Sequence, residues 1–156
     1  MKKYSLLMMM LFIPFILTAC ITPITPDLLD EPSPRQDLPG SKNDLYMTVG
    51  QPEETIIELN IINSGHSLFG YGEFFYIEKK VGSEWYMLAF DDMAFSDFSE
   101  FDNYGKVISP GEIDEIIIDL EEYHLTLNSG VYRVVKAFRY HDEENVFWLT
   151  DEFKVI

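Results

Sequence analysis

From Leu45 onward, turn residues divide the chain into short segments in which apolar and β-branched residues alternate with polar ones. Within the segment Thr55 to Asn63, this alternation places Ile57, Leu59 and Ile61 on one face. No long segment has the spacing of three and four residues that an amphipathic helix requires. A two-residue period interrupted so often restricts the domain to short antiparallel strands.

About seven strands are predicted, at intervals of about ten to twenty residues. Many short strands separated by turns are typical of a two-sheet antiparallel sandwich. The segment Phe90 to Tyr104 fits this pattern least, because its phenylalanines are spaced by three, as in a turn or two of helix. The predicted strands are Leu45 to Val49, Thr55 to Asn63, Phe74 to Lys79, Trp85 to Leu88, Ile113 to Leu120, Val131 to Tyr140 and Val146 to Val155.

The first twenty residues have the parts of a bacterial lipoprotein signal. Lys2 and Lys3 precede an apolar run of about twelve residues, which is too short to span a bilayer as a helix. The run ends in Leu17-Thr18-Ala19-Cys20, the pattern that a lipoprotein signal peptidase cleaves before the cysteine. Residues 1–19 are therefore predicted to be a signal peptide, and Cys20 to carry the lipid. The alternative is an ordinary signal peptide that leaves Cys20 as a free thiol.

Residues 20–44 are predicted to be a disordered, proline-rich linker, and residues 45–156 the folded domain. The linker contains five prolines and few apolar residues after Leu29. Proline-rich chains extend by about 3 Å per residue, so this segment would hold the domain up to about 70 Å from the lipid.

Acidic residues exceed basic ones throughout the chain. The net charge is −16, and removal of residues 1–19, which contain two lysines and no acid, leaves 9 basic and 27 acidic residues and a charge of −18. This balance excludes nucleic acid as a partner, because its phosphates require clustered lysine and arginine. The expected location is the outer side of the cell membrane, at the cell surface or in the periplasm, held by the lipid on Cys20.

From about Asn60 to the end, the chain resembles a bacterial immunoglobulin-like domain found in lipoproteins, mainly of Gram-positive bacteria. The resemblance implies an all-β, immunoglobulin-like sandwich of about seven strands at the cell surface, and it brings no catalytic residues with it. The matching segments are Asn63-Ser64-Gly65, Tyr71-Gly72, Phe75 to Lys79, Trp85-Tyr86, Phe95-Ser96-Asp97, Ser109 to Glu112, Leu127 to Lys136 and Asp151 to Val155.

Three residues in these segments are predicted to be structural. Tyr132 is placed to donate a hydrogen bond to the backbone just upstream, as in the tyrosine corner of immunoglobulin-like domains. Gly130 is expected to allow a tight turn before it. Trp85 is expected in the core, without the disulfide that accompanies such a tryptophan in antibodies, because Cys20 is the only cysteine.

No catalytic residue, cofactor or metal site is predicted. The three histidines, His66, His124 and His141, lie far apart in sequence, and no nucleophile or phosphate-binding motif is present. Calcium stays open as an alternative, with oxygen ligands from Asp91, Asp92, Asp97 and Asp102 or from Asp142, Glu143 and Glu144. The aromatic residues Phe95, Phe98, Phe101 and Tyr104 are the predicted contact surface for a partner, and the alternative is that their rings cap one end of the sandwich.

Three functions from different classes fit these features. The first is a membrane-anchored, non-enzymatic binding or accessory domain whose protein or cell-envelope partner is unknown. The second is a peptidase inhibitor, because a different bacterial immunoglobulin-like family of inhibitors has a similar late Gly-x-Tyr strand. The third, ranked last, is a small hydrolase, since acidic residues are too abundant for a carboxylate pair to be excluded.

Overall fold

The computed structural model describes residues 30–88 and 105–156, which form ten β-strands and, within these ranges, no helix. In this part of the chain no helix is therefore long and apolar enough to cross a bilayer. The strands are β1 (Ser41–Lys42), β2 (Leu45–Val49), β3 (Ile56–Asn63), β4 (Phe69–Tyr71), β5 (Tyr76–Val81), β6 (Glu84–Met87), β7 (Lys106–Ile108), β8 (Ile113–Asp119), β9 (Gly130–Tyr140) and β10 (Val146–Val155).

The strands form two antiparallel sheets. The first sheet has the order β1-β2-β3-β8. The second has six strands around the long β9, which pairs with β10 along one side. On its other side β9 pairs with β5 over residues 132–135 and with β4 over residues 138–140. Strand β6 pairs with β5 and strand β7 pairs with β4, which extends these two branches. The prediction of an all-β antiparallel sandwich is confirmed.

The core lies between the sheets and follows the two-residue alternation of the sequence. The inner face of β3 carries Ile57, Leu59 and Ile61, all completely buried, and the facing side of β9 carries Val134 and Phe138, which are equally buried. Three short strands, β1, β4 and β7, were not predicted. Each has only two or three residues, which is too few for an alternating pattern to show.

Residues 33–42 form a strap across the outer face of the six-stranded sheet, although the sequence analysis assigned them to a disordered linker. The backbone N–H of Ser33 bonds to the carbonyl of Trp85 on β6 (2.7 Å), and the carbonyl of Pro39 accepts from Thr150 on β10 (3.1 Å). The strap ends by pairing with β2 as strand β1. The part of the expected linker that the structure describes is thus folded onto the domain.

Asn63 joins the two sheets at the end of β3. Its side-chain amide donates to the carbonyls of Ser67 (2.8 Å) and Ile108 (3.2 Å), and its side-chain oxygen accepts from the N–H of Gly65 (3.1 Å). A Cβ at Gly65 would lie 2.8 Å from the carbonyl oxygen of Asn43, so this close approach requires glycine. The turn Asn63-Ser64-Gly65 is therefore a packed junction between β-sheets.

Tyr132 makes the contact of a tyrosine corner, because its hydroxyl donates to the carbonyl of Asn128 at 2.7 Å. The prediction that Gly130 allows a tight turn is wrong, because this residue begins strand β9 and is not among the residues with positive φ. Glycine gives space there, because a Cβ would lie 3.0 Å from Cε of Lys79 and 3.3 Å from the ring of Tyr132, and these side chains would have to shift by a few tenths of an ångström. The motif Gly-x-Tyr thus lets the tyrosine ring pack over its own strand.

Replacement of Tyr132 by phenylalanine should lower the free energy of unfolding by about 1 kcal/mol, the usual net value of one such hydrogen bond. The ring stays stacked on Phe153, at 5.6 Å between centroids, so packing is preserved. Urea denaturation measures the difference. Tyr86→Phe, whose hydroxyl contacts only the exposed Glu84, is the control and should change stability by less than about 0.5 kcal/mol. Equal losses in both variants would contradict the corner.

Candidate functional site

The strap is held by a buried polar cluster, which we call the clasp, formed by Ser33, Gln36, Glu78, Trp85 and Arg133. Its centre is an ion pair that the strand register creates, since Glu78 of β5 and Arg133 of β9 are direct cross-strand partners. Arg133 donates to Oε2 of Glu78 from Nε (2.7 Å) and from Nη2 (2.5 Å). Both side chains are almost completely buried, with exposures of 0% for Glu78 and 2% for Arg133.

The strap supplies the remaining partners of this ion pair. The hydroxyl of Ser33 donates to Oε1 of Glu78 at 2.6 Å. Arg133 donates from Nη1 to the carbonyl of Gln36 at 3.0 Å and from Nη2 to the carbonyl of Arg35. Each oxygen of the carboxylate and each nitrogen of the guanidinium therefore has a partner, which is the condition under which a buried ion pair is tolerated.

Gln36 and Trp85 complete the clasp, because the side-chain amide of Gln36 pairs with the backbone of Trp85 as the backbone of a neighbouring strand would. The side chain of Gln36 accepts from the N–H of Trp85 (2.8 Å) and donates to its carbonyl (3.0 Å). The indole ring of Trp85 covers the guanidinium of Arg133, at 4.4 Å from its carbon to the ring centroid. Trp85 is buried, with 5% exposure, but it lies on the outer face of the six-stranded sheet instead of in the core cluster between the sheets.

A stacked arginine extends the clasp along the strap. The guanidinium of Arg35 lies 3.9 Å from the ring centroid of Trp148 on β10 and 5.8 Å from that of Tyr76 on β5. Such cation–π contacts contribute about 0.5–2 kcal/mol each, depending on how far they are desolvated. The strap thus closes the outer face of the sheet with polar and aromatic contacts instead of aliphatic packing.

A second buried charge, Lys136, lies on the inner face of β9 where the neighbouring ladder changes from β5 to β4. The chain that connects those two strands brings its carbonyl groups close to the amine of Lys136. The Nζ atom of Lys136 donates to two of them, Gly72 at 2.5 Å and Phe74 at 3.1 Å. Lys136 therefore bridges the interruption between the two branches of the sheet.

Burial lowers the pKa of Lys136 to about 7 from 10.5, and the positive charge of Lys106 adds to this effect while Glu73 and Asp114 oppose it. An amine that is partly neutral near pH 7 is a potential nucleophile where a substrate can reach it. Lys136 is completely buried, however, and its amine is bonded to two carbonyls. The geometry makes it a structural donor.

A shallow groove lies at one end of the sandwich, with a volume of about 440 Å³. Its apolar lining includes Leu120, Leu125 and Val155, and Glu54 and Lys154 lie among its polar residues. Glu54 has a positive φ of 55°, in the tight turn that leads into β3. This volume is within the range of small-ligand sites.

The other predicted site residues divide between the two parts of the chain. Cys20, the contact residues Phe95, Phe98, Phe101 and Tyr104, and the calcium ligands Asp91, Asp92, Asp97 and Asp102 lie outside the described residues. Within residues 30–88 and 105–156, which include His66, His124, His141, Asp142, Glu143 and Glu144, no group of three potential ligands is arranged to hold a metal ion. The clasp was not predicted, because Glu78 and Arg133 are 55 positions apart in sequence and meet only through strand register.

Replacement of Arg133 by methionine should lower the free energy of unfolding by about 3–5 kcal/mol, because Glu78 would be left charged and unpaired in a buried site. Trypsin cleavage after Arg35 should accelerate in the same variant, since the strap loses two acceptor contacts. Glu73→Gln is the control, because its ion pair with Lys106 is half exposed and contributes less than about 1 kcal/mol. The double variant Glu78→Met/Arg133→Met should recover most of the loss, and a double variant as unstable as Arg133→Met would refute the explanation.

Stability should rise with pH above 7 by up to about 1.4 kcal/mol per unit, because unfolded Lys136 keeps its proton up to a pKa of 10.5 while the folded side chain loses it near 7. Below about pH 6 both states hold the proton, so this group adds no slope there. Urea titrations from pH 5 to 9 measure the curve, below the range in which tyrosines ionise. Lys136→Met should flatten the rise and the exposed Lys80→Met should preserve it; a rise that survives in Lys136→Met would exclude Lys136 as its source.

Comparison with known families identifies the sandwich. Residues 42–154 match a family model described as a bacterial Ig-like domain, so the match begins within strand β1 and ends within strand β10. Comparisons with curated proteins and with solved structures gave no match. The family model covers well over half of the chain and agrees with the two antiparallel sheets. The chain belongs to the bacterial Ig-like domain family.

Proposed function

We propose that this protein is a lipoprotein on the outer side of the cell membrane, in which a non-enzymatic Ig-like domain serves as a binding or accessory module. The lipid anchor is supported by Leu17-Thr18-Ala19-Cys20 after a short apolar run. Membership in the bacterial Ig-like family supports an accessory role at the cell surface. The partner is a protein or another component of the cell envelope.

The clasp is the observation that carries this proposal, because it gives the tether a fixed point on the domain. Ser33 is bonded through both its backbone N–H and its hydroxyl, to Trp85 and Glu78. Residues 21–32 then remain as tether, and at about 3 Å per residue they reach about 40 Å when extended. The domain would therefore work closer to the membrane than a linker ending at residue 44 allows.

The buried charges of the described domain support a non-enzymatic role. Glu78, Arg133 and Lys136 are the buried carboxylate and cationic side chains of the described residues, and each is engaged by backbone or cross-strand partners. Catalytic groups require access to substrate and hydrogen-bond geometry toward a reacting atom. These three side chains instead hold the strap and the two branches of the sheet in place.

Replacement of Cys20 by serine should abolish lipid attachment and move the protein out of the membrane fraction. Cells that express the full chain are labelled with radioactive or alkyne-tagged palmitate and fractionated by detergent phase separation. The chain without substitutions should incorporate the palmitate label and enter the detergent phase, and Cys20→Ser should do neither. Thr18→Ser, which keeps a small residue at its position, is the control and should behave like the unmodified chain. A label that persists in Cys20→Ser would refute Cys20 as the anchor.

The binding role is tested by cross-linking on intact cells. Cells with the anchored full chain are treated with an amine- and carboxylate-reactive cross-linker, and adducts are identified by mass spectrometry. The expected result is a recurrent envelope protein cross-linked to the unmodified chain and lost when an excess of unlabelled domain is added. Adducts that scale only with the abundance of surface proteins would argue against a specific partner.

A further inference from the structure

Strand β8 presents a row of unpaired backbone groups at the edge of the four-stranded sheet. Its even-numbered residues bond toward β3, because the N–H of Leu120 donates to the carbonyl of Thr55 and the carbonyl of Glu112 accepts from Asn63. The backbone groups of Ile113, Glu115 and Ile117 therefore point away from β3, and within the described residues they have no hydrogen-bond partner. This open edge covers most of a seven-residue strand.

Two isoleucines flank the centre of the open edge and are exposed to solvent. Ile113 is 67% exposed and Ile117 is 54% exposed, while Ile116 is half-buried and Ile118 is buried on the inner face. Proteins commonly protect an exposed edge by placing charges, especially lysine, or proline along it. Between the two isoleucines β8 has no lysine or proline; Glu115 is the charged residue on its outer face, and the half-buried Asp114 accepts a hydrogen bond from the hydroxyl of Tyr71.

The other strand edges of the described residues carry specific contacts at single residues. The outward N–H and carbonyl of Trp85 on β6 are bonded to the strap, and the N–H of Thr150 on β10 is bonded to Pro39. The carbonyl of Ile108 on β7 accepts from the amide of Asn63. Strand β1 has only two residues. The strap and the side chain of Asn63 thus contact these edges, and β8 has no such contact at Ile113, Glu115 and Ile117 among the described residues.

The charge around the open edge favours a basic partner. Strands β2, β3 and β8 contain no lysine or arginine, and Glu58, Glu115 and Asp119 lie on the same outer face as the exposed isoleucines. A second copy of this chain is disfavoured, because pairing two β8 edges would bring these carboxylates together and both copies carry a charge of −16. An extended segment that alternates basic and apolar residues would match the edge in both respects.

We propose that the open edge of β8 binds an extended segment of a partner protein by strand addition, with main-chain hydrogen bonds at Ile113, Glu115 and Ile117 and with basic side chains of the segment facing the acidic outer sheet. Strand addition derives its affinity from main-chain bonds and its selectivity from alternate side chains. The inference rests on the proposed binding function, because it names the surface through which the module acts.

The test uses the full chain in a neutral detergent and an acetylated, amidated peptide of four Lys-Val repeats. Binding is measured by fluorescence anisotropy, and amide hydrogen exchange reports protection along β8. A peptide of four Glu-Val repeats controls for charge, and one of four Lys-Pro repeats has the same charge but cannot pair as a strand. The Lys-Val peptide should bind saturably at least tenfold more tightly than either control and should slow exchange at Ile113, Glu115 and Ile117.

Variants of the chain locate the site. Ile117→Lys adds a repulsive charge at the edge and should weaken binding of the Lys-Val peptide at least tenfold, while Val146→Lys, the same type of change at a 43% exposed position on β10, should leave it unchanged. Glu115→Pro removes an outward N–H that β3 does not use and should also abolish protection. Urea denaturation of each variant confirms that it is folded.

Three results would overturn the proposal. The first two are equal binding of the Lys-Val and Lys-Pro peptides, and equal weakening of binding by Ile117→Lys and Val146→Lys. The third is protection of β8 that appears without peptide and increases with protein concentration, because it would identify a second copy of the chain as the occupant. The cellular cross-linking keeps the two proposals apart. If Ile117→Lys retains the envelope partner, the edge assignment fails and the binding function stands. If the chain without substitutions has no specific partner on cells, the proposed binding function fails, whatever affinity the peptides show.

Discussion

The buried ion pair between Glu78 and Arg133 is the interaction on which the N-terminal half of this fold depends. Removal of two charges from water costs several kcal/mol for each ion, and their mutual attraction offsets that cost only when every polar atom is satisfied. Here the sheet supplies the pair through register and the strap supplies the remaining partners. Neither part is complete alone: without the strap the carboxylate and guanidinium lack partners, and without the pair the strap loses its central contacts.

This dependence explains why a segment with the composition of a linker is folded. The strap contains Pro34 and Pro39 and few apolar residues, so it buries little hydrocarbon. Its stability comes from directional bonds: the hydroxyl of Ser33, the amide of Gln36 and successive carbonyls all have partners on the sheet. Composition describes how much apolar surface a segment can bury, and it carries no information about bonds to residues about fifty to a hundred positions away.

The same distinction separates what the sequence could predict from what it could not. Alternation in β3, β8 and β9 predicted the antiparallel sandwich and its inner faces correctly, because burial against the other sheet imposes a two-residue period. Strand order was inaccessible, and with it the pairing of Glu78 with Arg133 and the position of Lys136 at the break between β4 and β5. The sequence does contain a signal for the outer face of β8. With Ile116 and Ile118 assigned inward, the same period places Ile113 and Ile117 together on the outer face of one strand.

Protection of sheet edges gives the final step in relating this fold to its function. The strap bonds the outward N–H and carbonyl of Trp85 and the outward N–H of Thr150, so one polar segment contacts two edges of the larger sheet and would also fix the proposed tether. An anchored protein is concentrated at a surface, where open edges would promote self-association, and its carboxylates oppose pairing between copies. Charge repulsion acts against like partners and favours basic ones. In the proposed binding role, the acidic, isoleucine-lined edge of β8 would disfavour copies of this chain and favour a strand of opposite charge, and selective binding requires such discrimination.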